Sequence, residues 1–143
     1  MRSYLIVANQ TLASPDLASV IADRVAAGPA RFYVVVPATP VQHGLTWNEE
    51  EAHAAAQGRL EATIARLHEL GVEATGEVGE KDPIAAVRDA LRDHPADEIV
   101  LSTLPPGISR WLGQDVPARL KAAVAVPVTV LTASRQAVES ASG

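Results

Sequence analysis

Downstream of residue 101 the sequence gathers the groups best able to hold an anion. Ser102, Thr103, Gly107, Ser109, Arg110 and Gln114 fall within Ser102-Thr103-Leu104-Pro105-Pro106-Gly107-Ile108-Ser109-Arg110-Trp111-Leu112-Gly113-Gln114-Asp115. A phosphate cradle needs successive backbone N–H groups, often from glycine for close approach, with a helix N-terminus behind them. Gly107, Ile108 and Ser109 offer such amides and Arg110 a charged fork, which suits a small anion. Pro105 and Pro106 have no N–H to give. The plainer reading is a surface loop stiffened by the two prolines, with Trp111 and Leu112 tucked onto the sheet edge, and it is preferred.

Other chemistry is thinner. Ser102 and Thr103 stand where a nucleophile would sit, but no histidine or acid falls at a spacing that would activate them. The histidines His43, His53, His68 and His94 are scattered. Glu50-x-x-His53 puts a carboxylate and an imidazole on one helical face, yet a metal site needs a second such pair, so a solvated face is the better reading. His94 is expected at a helix end, where a partly protonated imidazole complements the dipole. The stretch from Pro37 to Trp47 is long for a strand-to-helix connection and carries a histidine and a tryptophan. Trp47 either covers a ligand or staples the chain to the next helix. No G-x-G-x-x-G follows the first strand and no G-x4-G-K-[ST] occurs, which argues against dinucleotide redox chemistry and P-loop hydrolysis.

The elements that must position these residues are legible in the apolar pattern. Tyr4-Leu5-Ile6-Val7-Ala8 and the run around Val34-Val35-Val36 read as strands buried on both faces. Between them, Ser14-Pro15-Asp16 opens a helix with Leu17, Val20, Ile21 and Val25 at helical spacing, closed by Gly28-Pro29. A second helix runs over residues 48–71 with Leu60, Ile64 and Leu67 as its apolar stripe and Asn48-x-x-Glu51 as a capping box. A strand over 72–78, a helix opened by Asp82-Pro83 and carrying Ile84, Val87 and Leu91, and a strand over 98–102 follow. A short helix over 116–123 and a last strand over 126–131 complete the pattern. Strands alternating with helices imply a three-layer α/β fold: five mostly parallel strands covered by helices on both faces. Ligands in such sheets bind beyond the strands' carboxyl ends where the strand order reverses, which places Asn9, Gln10 and the loop after the fourth strand at the mouth.

The chain's 143 residues, 48% apolar, supply one core. Residues 1–131 are expected to form one domain and 132–143 a flexible tail. Twelve basic against seventeen acidic side chains leave a net charge of −5, so no diffuse positive field attracts nucleic acid or an anionic membrane. The absence of cysteine excludes disulfides, zinc ribbons, iron–sulfur ligation and thiol nucleophiles. The opening apolar run is too short for a signal peptide, and no run approaches about twenty apolar residues, so the chain is expected in the cytoplasm.

Along nearly its whole length the chain resembles the universal stress protein family. Tyr4-Leu5-Ile6-Val7-Ala8 resembles that family's opening strand, and residues 76–87 resemble its strand followed by G-x-P-x-x-x-I. Ile99-Val100-Leu101 with its glycine- and serine-bearing loop, and Ala125-Val126-Pro127-Val128-Thr129-Val130, resemble its ending. The resemblance implies a Rossmann-like α/β fold, often a homodimer paired through the last strand, here at Val126, Val128 and Val130. Members divide into those that bind ATP and those that do not. ATP-binding members carry an acid after the first strand and G-x2-G-x9-G-[ST] after the fourth; here Asn9 and Gln10 replace the acid, Ser102 and Pro105 fall on the first glycines, and Gln114-Asp115 on the closing pair. A one-residue shift brings Gly113 into the glycine slot but leaves Gln114 in place of the hydroxyl. A carboxylate at Asp115, beside a helix N-terminus, would repel a triphosphate and reads better as an N-cap. Lost amides and an added charge cost several kcal/mol, enough to abolish a micromolar site.

The sequence therefore reads as a small regulatory or ligand-sensing domain that does not bind ATP in the usual way, with no catalytic residue, metal or cofactor assigned. Its expected ligand contacts are Asn9, Gln10, Pro37, Trp47, Ser102, Thr103, Gly107, Ser109, Arg110 and Gln114, and its expected partner is a second copy. Two alternatives stand beside it: an ATP-binding member with a divergent loop, and a small enzyme acting on an anionic substrate in the same cleft.

Overall fold

The computed structural model describes residues 1–8, 15–38, 49–103 and 116–132. Within them strands and helices alternate: β1 (Arg2–Ala8), α1 (Pro15–Ala26), β2 (Ala30–Pro37), α2 (Glu49–Glu69), β3 (Ala74–Gly79), α3 (Pro83–Asp93), β4 (Glu98–Thr103), α4 (Val116–Ala123) and β5 (Val128–Thr132). The five strands form one sheet in the order β3-β2-β1-β4-β5, and every adjacent pair is parallel. This is the expected α/β fold, with the sheet wholly parallel.

Central position explains the strand sequences. Leu5, Ile6 and Val7 of β1 are 0% exposed because helices cover both sheet faces. Alternation sends Tyr4, Ile6, Ala8, Phe32, Val34, Val36 and Val100 into one core with α1 and α2. It sends Leu5, Val7, Val35, Ile99 and Leu101 into a second core with α3 and α4. Thr132, expected in the tail, is the last residue of β5; the rest of the tail lies outside the described residues.

Two helix stripes differ from the expectation. On α1, Ile21 is buried but Val25 is 45% exposed. On α2 the buried line is Ala52, Ala56, Leu60, Thr63 and Leu67, with Ile64 only half-buried. Small residues let α2 lie close to the sheet: a Cβ on Gly76 of β3 would stand 2.4 Å from the Val34 carbonyl oxygen and 2.7 Å from Leu60 Cδ1. Thr63 is tolerated in this core because its hydroxyl donates to the Arg59 carbonyl at 2.6 Å.

The helix ends follow local chemistry. Asp82 caps α3, its Oδ2 accepting from Ala85 N at 3.3 Å, with Pro83 in the first turn as the sequence predicts. Gly71 takes a left-handed φ of 87° after α2, and Gly71 N and Val72 N donate to the His68 and Leu67 carbonyls. That is the six-to-one and five-to-two closure that favours glycine. β5 starts at Val128, two residues later than expected, because Pro127 has no N–H and contributes only its carbonyl, which accepts from Ile99 N at 2.9 Å. Val126 therefore precedes the strand.

A polar joint ties the base of the sheet together. Arg24 of α1 donates through Nε and Nη2 to the Glu98 carboxylate of β4 at 2.9 and 2.8 Å, and Thr129 of β5 donates to the same carboxylate. The Arg24 hydrogen bond holds the Glu98 carboxyl below its ordinary range, and the same bond raises Arg24.

Candidate functional site

From β1 the chain steps outward to β2 and β3, then crosses back to place β4 on the other side of β1. The strand order reverses between β1 and β4, the point at which ligands bind in open parallel sheets. The final register pair of these strands is Ala8 and Ser102, and Ser102 in turn pairs with Leu131 of β5. Ala8 and Ser102 are 1% and 4% exposed, and alternation turns both toward the α1 and α2 side. Two small buried side chains thus stand at the carboxyl ends of these two strands.

The structure brings only part of the predicted ligand set to this point. Ser102 and Thr103 end β4 beside Ala8. Pro37 ends β2, on the far side of β1, is buried, and falls on the opposite face in the alternation of β2; it pairs with Gly79 of β3. Asn9, Gln10, Trp47, Gly107, Ser109, Arg110 and Gln114 lie outside the described residues. Val128 and Val130 of β5, with Val126 just before it, rest partly on the core of α3 and α4, so their side chains already serve the protomer.

A second opening lies at the other side of the sheet, where β3 is an edge strand. A cavity of about 440 Å³ wraps the end of β3 between the first turns of α2 and α3. Glu77, Glu80, Lys81, Asp89 and His53 line it together with Val78 and Ala86, which belong to opposite faces of the sheet. Tyr33 Oη donates to Glu77 Oε1 at 2.9 Å. Burial, then that hydrogen bond, pushes the Tyr33 phenol up to about 12. The His94 ring stacks on Tyr33 with centroids 3.7 Å apart, while its backbone N–H caps α3 on the Ala90 carbonyl. Its imidazole therefore packs against an aromatic face in addition to standing at the helix end. Sequence reading missed this cavity because its walls come from two helices and a strand edge. The one available signal was the density of charge around Gly79.

Among the described residues, no group of three or more histidine, aspartate or glutamate side chains could hold a metal ion. No described helix is long and apolar enough to cross a membrane.

No family model matches the chain, and no curated protein matches it. Solved structures do. A universal stress protein family member from Burkholderia pseudomallei superposes with a TM-score of 0.62 at 17% identity, covering 91% of this chain and 95% of that one. A universal stress protein family protein from Arabidopsis thaliana with AMP bound gives 0.64 at 15% identity over 95% and 94%. A universal stress protein in complex with cAMP gives 0.60 at 18% identity over 93% and 98%. The chain has the fold of these proteins.

Proposed function

We propose that the protein is a cytoplasmic regulatory module that senses a small nucleotide-like ligand at the mouth between β1 and β4, and that the ligand is a nucleoside monophosphate and not ATP. The observation that carries this reading is the reversal of strand order between β1 and β4, at whose ends Ala8 and Ser102 stand. Two structures of the same fold are described as holding AMP and cAMP, which require far less phosphate recognition than a triphosphate does. The sequence after β4 agrees: Gly107, Ile108, Ser109 and Arg110 supply enough donors for one phosphate, whereas Pro105, Pro106 and Asp115 remove what the outer phosphates of ATP need.

In this reading Asn9, Gln10, Ser102 and Thr103 meet the nucleoside end, and Trp47 covers it. Two copies pair through the outer edge of β5, which no described strand covers. Light scattering at micromolar concentration should return twice the chain mass.

Calorimetry and thermal shift with AMP, cAMP and magnesium–ATP test the ligand. AMP or cAMP should raise Tm in a concentration-dependent way, by mass action on the folded state, with ATP weaker by at least about tenfold. Micromolar ATP binding overturns the preference for monophosphate. No response to any of the three overturns nucleotide sensing altogether.

A further inference from the structure

We propose that β5 is a releasable strand and that the Arg24–Glu98–Thr129 bridge is its latch: when the Thr129 arm lets go, β5 leaves β4 while the rest of the sheet stays folded. On the reading that two copies pair through β5, the latch thereby governs assembly. The strand's own hold is shallow. It is five residues long and, among the described strands, pairs with β4 alone. Val128, Thr129, Val130 and Leu131 are each only partly buried, whereas Ile99, Val100 and Leu101 beside them on β4 are at most 1% exposed. Elements with few buried apolar contacts open at a lower free energy than the core.

The bridge supplies what burial does not. Thr129 stands opposite Val100 in the register, on the face turned toward α1 and α2, and Glu98 lies two residues before Val100 on that same face. Arg24 donates Nε to one Glu98 oxygen and Nη2 to the other, so the carboxylate is a fixed post between α1 and β4. Thr129 Oγ1 donates to the oxygen that Nη2 also holds. This asymmetry places the break. Taking Thr129 off the post leaves Glu98 paired with Arg24, so the opened state strands no buried charge, whereas parting at the Arg24 side would strand one. The release point is therefore the neutral arm. α4 ends at Ala123 and β5 begins at Val128, so residues 124–127 form the connection about which the strand turns.

Native-state hydrogen exchange followed by NMR on the full chain, at stepped sub-denaturing guanidinium and at two chain concentrations, tests the latch. The β5 amides bonded to β4 should exchange through an opening of weak denaturant dependence, ahead of the β1 amides, which wait for global unfolding. Thr129→Val keeps the branched shape but deletes the donor, and should speed β5 opening about tenfold, the worth of one hydrogen bond to a charged group. In a Glu98→Ala background the same substitution should change nothing, because the arm then has no acceptor. β5 and β1 amides exchanging together at every guanidinium concentration, a Thr129→Val effect under about twofold, or an undiminished effect in the Glu98→Ala background would each overturn the proposal. Exchange of β5 that slows as chain concentration rises reports pairing by mass action. A rate independent of concentration removes the pairing reading and leaves the latch standing.

Discussion

Replacing Glu98 by alanine tests the joint that fastens α1 to β4 and β5. The Glu98 and Arg24 side chains are only 13% and 23% exposed, and the carboxylate accepts from Arg24 Nε, Arg24 Nη2 and Thr129 Oγ1. Removing one member of a buried pair costs about 3–5 kcal/mol, because the other charge stays behind unpaired. Residual exposure, and the Asp23 carboxylate that remains 2.7 Å from Arg24 Nη1, bring the expectation down to about 2–3 kcal/mol. At about 3 °C per kcal/mol for a chain of this size, Tm at neutral pH should fall by about 6–9 °C. The pH dependence gives an independent check. The folded state holds the Glu98 carboxyl below its ordinary 4.5, chiefly through Arg24 and then Thr129. A depressed folded pKa means that the contribution is complete above the unfolded pKa and disappears as pH falls through the folded one. The Tm difference between wild type and Glu98→Ala should therefore be flat from about pH 8 to pH 5 and close progressively below about pH 4. Thermal melts followed by circular dichroism across this range measure both. A variant within about 2 °C of wild type at neutral pH, or a difference that persists undiminished in acid, refutes the reasoning.

Gly76→Ala should be severely destabilising, by about 3 kcal/mol or more, because its Cβ would press on a backbone carbonyl that cannot yield without opening the β2–β3 pairing. Gly71→Ala, with open space around it but a φ of 87°, should cost only about 1 kcal/mol; denaturant melts that rank the two equally would contradict the packing argument. Tyr33 should ionise near pH 12, so its contribution to stability is complete below the ordinary phenol value of 10.0 and is lost as pH rises through about 12. Tyrosinate absorbance should show one late-titrating group that Tyr33→Phe removes, and loss of a group titrating near 10.0 instead would refute the assignment.

Much of the fold was readable because its signals are local. The β-branched runs at β1, β2 and β4 announce strands buried on both faces, and Asp82-Pro83 announces the start of α3 within a single turn. Misreadings came where burial depends on what lies opposite. Ala52, Ala56 and Thr63 carry no strong apolar signal, yet they face the sheet; Val25 carries one and faces water. Arg24 and Glu98 are 74 residues apart in sequence, so nothing local forecasts their pairing. The site divides in the same way. Ser102 and Thr103 were placed correctly at the end of a central strand, since the reversal of strand order follows from topology. Pro37 ends β2, where alternation turns it to the opposite face from Ser102. The cavity at β3 was invisible because its carboxylates come from a strand, a turn and a helix.

Among the described residues β3 and β5 are the edge strands, and they differ as pairing surfaces. β5 reads Val-Thr-Val-Leu-Thr, with no charge to oppose self-pairing, and a two-fold axis would set its uncharged side chains against their own copies. β3 reads Ala-Thr-Gly-Glu-Val-Gly; its two glycines weaken a ladder, and Glu77 would approach its own copy across any symmetric pairing. Glu77, the acid that makes β3 a poor edge for another strand, also lines the cavity at that edge. Charge at this position guards the edge against pairing and aggregation. Pairing through β5, as proposed, would leave the β3 edge facing outward in each copy, on the far side of the sheet from the seam.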